Sequence, residues 1–177
     1  MRRLQVPRIT VDFSDVQDFE VLPTGEYSGV ITKTTLRNVD VEDKFPYINV
    51  EIDIQEALET KEDAGDVEGR KVWMVMSTSP KALGITKQYL ENLDLYVENL
   101  DIDAEEGDNG DLIVTNPEMV GLPVKVQLSK RKYEGREQNQ VEGIWSLNGS
   151  GGSSPKKSGG GPKKSGPAKA GGKKAFK

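Results

Sequence analysis

Residues 124–147, VKVQLSKRKYEGREQNQVEGIWSL, leave the chain little choice of local structure. Val124, Val126 and Leu128 alternate with Lys125, Gln127 and Ser129, so an extended backbone here has one apolar and one polar face. Tyr133-Glu134-Gly135-Arg136 reverses direction, with Gly135 free to take positive φ. The return arm sets Val141, Trp145 and Leu147 on one parity, and Gly143 inside it signals a bulge or a close backbone approach. These features describe a β-hairpin. Its loop end carries Lys130, Arg131, Lys132 and Arg136 within seven residues, with Tyr133 among them.

The same alternation recurs upstream. Residues 1–20 read as an extended arm with one edge strand. Pro23-Thr24-Gly25 is a turn, and a β-rich run follows from Tyr27 to about Arg37. Tyr47 to Ile54, YINVEIDI, points Ile48, Val50, Ile52 and Ile54 one way. Residues 56–69 form a charged excursion. Arg70 to Ser77 is a third strand with Val72, Met74 and Met76 on one face and Trp73 and Val75 on the other. Two apolar faces mean that it is either central or presents an aromatic at an exposed site. Ser79-Pro80 opens a helix expected from Pro80 to Leu95, with Ala82, Ile85, Thr86, Tyr89, Leu90 and Leu93 at helical spacing. Residues 98–110 read as a solvated acidic loop, and Leu112 to Val114 as a short strand.

The order is three strands, a helix and two strands. The expected fold is therefore mainly β: a five-stranded OB-fold-like barrel with one helix between strands 3 and 4. A small α+β sandwich would produce the same order. The domain occupies residues 21–148. Residues 149–177 change abruptly to Gly, Ser, Pro, Lys and Ala, which cannot bury enough apolar surface to offset ordering, so a disordered basic tail is expected.

Composition narrows the chemistry. The 177 residues contain no Cys and no His, which removes Cys/His zinc sites, Cys nucleophiles and His-based acid–base chemistry. Asp101 and Asp103, with Asp108 and Asp111, are close enough in sequence to suggest a cation site, but they do not fit the calcium-loop pattern, and a solvated loop is the better reading. No enzyme motif, cofactor or metal is expected. No run reaches membrane-span length and MRRLQVPRIT lacks the apolar core of a signal peptide, so a cytoplasmic location is expected. Charge is strongly segregated: residues 1–148 hold 29 acids and 16 Lys/Arg, a net of −13, and residues 149–177 hold eight Lys and no acid.

Pro23, Gly25 and Tyr27, then Gly69-Arg70-Lys71, then a helix ending near Leu90, and finally Tyr133-x-Gly135-Arg136-x-x-Asn139-x-Val141 make up an ordered set of short motifs. Over residues 20–146 the chain resembles a family of phage-encoded OB-fold single-stranded-DNA-binding proteins of replication and recombination. It differs in longer loops at 56–68 and 96–116. Its tail is also basic, with Phe176 between lysines, where many single-strand binders end in an acidic Phe-tipped tail that recruits partners.

Single-strand binding requires cations along a groove and aromatic faces on which bases stack. Trp73, Tyr133 and Tyr47 are the stacking candidates, with Tyr27 behind them. Arg70, Lys71, Lys125, Lys130, Arg131, Lys132 and Arg136 are the phosphate candidates. Trp73 reads equally as a core aromatic, and for Trp145 the core is the better reading. The expected function is non-catalytic, largely sequence-independent binding of single-stranded DNA, with replication or recombination proteins as further partners and no expectation for oligomeric state. The competing readings are a phage structural or assembly protein whose lysine tail meets DNA or an acidic partner, and an adaptor that uses the acidic surface against host proteins.

Overall fold

The computed structural model describes residues 21–148, so the expectations for the arm and the tail lie outside the described residues. Seven strands and one helix follow in the order β1 Gly25–Arg37, β2 Tyr47–Thr60, β3 Arg70–Ser77, α1 Leu83–Asn92, β4 Asp103–Glu106, β5 Leu112–Asn116, β6 Pro123–Tyr133 and β7 Arg136–Ser146. All strand pairings are antiparallel and belong to one sheet.

β1 is the axis of the sheet. One edge pairs with β2 from Gly25 to Arg37. The other edge is shared: Gly25–Val30 pair with β6, and Thr35–Leu36 with β5. Gly121 and Leu122 fill the gap between these partners, where the Gly121 N–H donates to the Ile31 carbonyl (2.8 Å) and the Ile31 N–H to the Leu122 carbonyl (3.1 Å). Both backbone groups of Ile31 are thereby satisfied at the handover. Three register shifts interrupt the β1–β2 ladder, two with the extra residue on β2 and one, at Thr32, on β1. At Gly29 a Cβ would run into the backbone carbonyl of Asp53, so close approach of β2 requires glycine there.

Alternation sets the core. Ile48, Val50, Ile52 and Ile54 of β2, Val72, Met74 and Met76 of β3, and Val124, Val126 and Leu128 of β6 all point inward. Leu90 and Leu93 of the helical segment, with Val141 and Ile144 of β7, join them. Tyr27 is fully buried, and its hydroxyl donates to the Pro23 carbonyl at 2.7 Å. Burial pushes the Tyr27 phenol above its ordinary range.

Several expectations need correction. The sheet has seven strands, not five, and it does not close into a barrel: among the described residues β3 pairs only with β2, and β7 only with β6. The extra hairpin is β4–β5, and it turns the expected acidic loop partly into strand. Asp111 ties this hairpin to β1 through Lys33 (2.8 Å) and Arg37 (3.0 Å). β2 runs to Thr60, six residues past the expected end, because Gly25–Ser28 offer it a partner there. The helix is shorter than expected. Ser79-Pro80 forms a turn instead of a cap, with the Ala82 and Leu83 N–H groups both donating to the Ser79 carbonyl. Ile85 is 56% exposed, while Thr86 and Leu90 are the buried helix residues.

The final hairpin matches its expectation closely. β6 ends at Tyr133 and β7 begins at Arg136, with Glu134 (φ 49°) and Gly135 (φ 79°) both left-handed, as a two-residue type I′ connection requires. A register shift lies between Gln127 and Leu128 of β6, opposite Gly143 and Val141. The Trp145 ring lies against Gly143, in the space that a Cβ would occupy. Leu147, placed on one parity with Val141 and Trp145, is 46% exposed, whereas those two are buried.

Candidate functional site

The edges of β3 and β7 that are unpaired among the described residues face one another across a cleft of about 740 Å³, lined by Gly69, Arg70, Lys71, Trp73, Gln138 and Asn139 with neighbouring Val21 and Val72. It continues into a recess of about 380 Å³ that adds Val75, Tyr89 of α1, Arg131 and Gln140. Trp73, Gln138 and Asn139 belong to both. Because α1 packs against β3 and β7, it bounds the recess at one end.

β3 reaches this cleft through its alternation. Val72, Met74 and Met76 are committed to the core, which turns Lys71, Trp73 and Val75 outward. Trp73 is 52% and Val75 50% exposed, so the choice left open by the sequence is resolved: β3 is an edge strand that presents its aromatic to solvent. The ring is nevertheless held. Its indole N–H donates to Glu51 Oε2 at 3.3 Å, from the position directly opposite on β2. Glu51 Oε1 accepts from Lys71 Nζ (2.7 Å) and Thr32 Oγ1 (3.0 Å). The Lys71 ammonium, hydrogen-bonded to Glu51, holds that carboxyl below the usual glutamate range against the opposing effect of partial burial.

β6–β7 reaches the cleft from the other side. Beyond Leu128, β6 pairs only with β7 among the described residues, so residues 129–140 form a two-stranded ribbon past the start of β1. Register divides the cationic cluster. Arg131 stands opposite Gln138 and Tyr133 opposite Arg136, on one face; Lys130 and Lys132, opposite Asn139 and Glu137, take the other. Tyr133 is 55% exposed at the tip.

The sequence candidates therefore separate. Arg70, Lys71, Trp73 and Arg131 come together around the cleft. Tyr133 and Arg136 extend Arg131's face outward, and Lys132 lies on the opposite face of the ribbon. Tyr47 lies at the far end of β2, paired with Ser77, on the same outward parity as Glu51. Lys130 binds Glu62 at 3.2 Å, beyond the end of β2. Lys125 is not a cleft residue: it pairs with Glu26 at 3.5 Å and lies 5.2 Å from the centre of the Trp145 ring. Tyr27 is in the core and offers no face for stacking. Trp145 is 6% exposed, as its core reading requires, although it packs on Gly143 outside the main cluster.

Pairing decides which charges are available. Lys71, Lys125 and Lys130 each hold a carboxylate, whereas Arg131, Lys132 and Arg136 make no ion pair among the described residues. Sequence reading missed Glu51, Thr32, Val75, Gln138 and Gln140. The alternation of YINVEIDI already turned Glu51 outward, but its partners depend on the register with β3. No group of three or more acidic residues that could hold a metal ion occurs among the described residues, and none of their helices is long and apolar enough to cross a membrane.

No protein-family model matches the chain, and no curated protein matches it.

Proposed function

We propose that the chain is a non-catalytic single-stranded-DNA-binding protein, largely indifferent to sequence, acting in phage replication or recombination. The observation that carries this reading is Trp73. A large aromatic stands half-exposed on the outer face of an edge strand, held by its N–H, in a cleft whose opposite wall supplies Arg131. Single-strand grooves combine these elements, an aromatic face for a base and cations for its phosphates.

The architecture supports the same reading. Without the β4–β5 hairpin, the order is three strands, a helix and a hairpin, with β1 pairing the first strand of that final hairpin. That is the order of a partly open OB-fold, in which the face of strands 2 and 3 and the hairpin loops bind oligonucleotides. The β2–β3 face here carries Trp73, and the β6–β7 ribbon corresponds to a binding loop. The acidic remainder of the domain opposes DNA, but screening confines its influence to about 8–10 Å at ordinary salt.

The test is fluorescence anisotropy with labelled oligo-dT and a labelled duplex, using the full chain at two salt concentrations. Preference for the single strand, reduced by Trp73→Ala, is the expected result. Equal binding of both would overturn the reading and favour a structural or assembly role in which the lysine tail contacts DNA.

A further inference from the structure

We infer that Glu51 is a positioning residue for DNA: it aims the Trp73 ring, so that removing this acid weakens binding to a polyanion even though it releases Lys71. The inference rests on the single-strand reading above.

Three donors from two strands converge on this one carboxylate, which stands on the strand between them. Thr32 comes from β1, and Lys71 and Trp73 from β3. The contact from Thr32 depends on an irregularity in β1. Ile31 pairs with Ile52 and Lys33 with Glu51, so Thr32 is the extra residue of a bulge. Bulges re-aim side chains, and this one directs the Thr32 hydroxyl to Glu51, both at the side chain and at the backbone carbonyl (3.5 Å). The carboxylate keeps only 18% of its side-chain surface, in a region where Trp73 beside it keeps about half.

An exposed tryptophan on a strand has several open rotamers, and binding must then bear the cost of choosing one. The N–H···Oε2 bond makes that choice in the free protein and leaves the ring faces available. It also has a consequence for Lys71. An ammonium engaged by Glu51 at 2.7 Å cannot count as a full phosphate partner, so Lys71 contributes to arrangement and the phosphate contacts fall to Arg131 and Arg136.

Charge alone predicts the opposite result. Deleting an acid next to a nucleic-acid groove should tighten binding. The experiment is a double-substitution cycle in the full chain on oligo-dT, with Glu51→Ala, Trp73→Phe and both together. Glu51→Ala is expected to weaken binding about five-fold in the parent and to leave it unchanged or tighter in the Trp73→Phe background, where no N–H remains to be held. The NMR signal of the Trp73 indole N–H reports the clamp directly. It should move toward the solvent-exposed position in Glu51→Ala while the core amides of Ile52 and Met74 stay in place. Glu51→Gln, which retains an acceptor, should restore most of the affinity and serves also if the alanine variant folds poorly.

Equal or tighter binding by Glu51→Ala in the parent background would overturn the inference and leave the function standing. Failure of the parent to prefer oligo-dT over duplex would remove the function and this inference with it.

Discussion

Asn139 holds Leu22 at both polar ends of the residue: the Leu22 N–H donates to Asn139 Oδ1 at 2.9 Å, and Asn139 Nδ2 donates to the Leu22 carbonyl at 2.8 Å. The segment that enters β1 is thereby fastened to β7, and both Val21 and Asn139 line the cleft. Asn139→Ala removes both bonds and leaves two part-buried backbone groups to find water. A loss of about 1–3 kcal/mol is expected from the urea midpoint. Asn139→Asp keeps the acceptor and should cost less.

Trp73 and Tyr27 carry opposite predictions. Trp73 is half-exposed, so Trp73→Ala should change stability by under about 1 kcal/mol while weakening oligo-dT binding by about 1–3 kcal/mol. Tyr27→Phe removes the buried bond to Pro23 and should lower the unfolding midpoint with no effect on binding. Titrations and melts of the two variants check both. A binding defect in Tyr27→Phe without loss of stability would contradict the assignment.

The salt dependence of binding should identify the phosphate partners. For single strands each neutralised phosphate contributes about 0.7 to the slope of log K against log salt. Arg131→Gln and Arg136→Gln should each flatten the slope by about that amount. Lys125→Gln should leave it unchanged, because its ammonium is engaged by Glu26 and the Trp145 ring. Removing residues 149–177 takes away eight lysines and should weaken binding and flatten the slope further. Unchanged affinity would exclude a contribution from the tail.

Acid should act through two named carboxyls. Hydrogen bonds from Lys71 to Glu51 and from Lys33 to Asp111 hold both groups below their ordinary range. The unfolded chain therefore binds these protons first as pH falls. The stabilisation is complete above the unfolded carboxyl values of about 4 and is lost as pH drops through the lower folded values. Unfolding midpoints at pH 7, 5 and 3 should be alike at the first two and lower at the third. Glu51→Gln and Asp111→Asn should each reduce that fall.

Local features of the chain were legible wherever the physics is local. Period-two alternation placed the inward rows of β2, β3 and β6, because side chains on a strand alternate whatever lies beside them. Gly135 marked the turn, since glycine takes a left-handed backbone freely, whereas Glu134 joins it only in the folded chain. Gly143 announced a close approach, although only the folded chain shows that the Trp145 ring fills it.

The remaining features depend on partners distant in sequence. Asp103–Glu106 has poor strand propensity, and it is a strand because Leu112–Asn116 completes its ladder. Ser79-Pro80 resembles a cap, but the turn there takes the Ser79 carbonyl and the helix begins later. The open gap between β3 and β7 is a matter of which edges meet, a property of the whole sheet. Ion pairing made the final distinction within the basic cluster. Lys130, Arg131, Lys132 and Arg136 look alike in sequence, yet Glu62 claims the first, and register alone puts Arg131 and Arg136 on the face that carries Tyr133. A row of residues specifies its own strand and turn, but which of its charges remain available is set by neighbours that only the folded chain brings within a few ångströms.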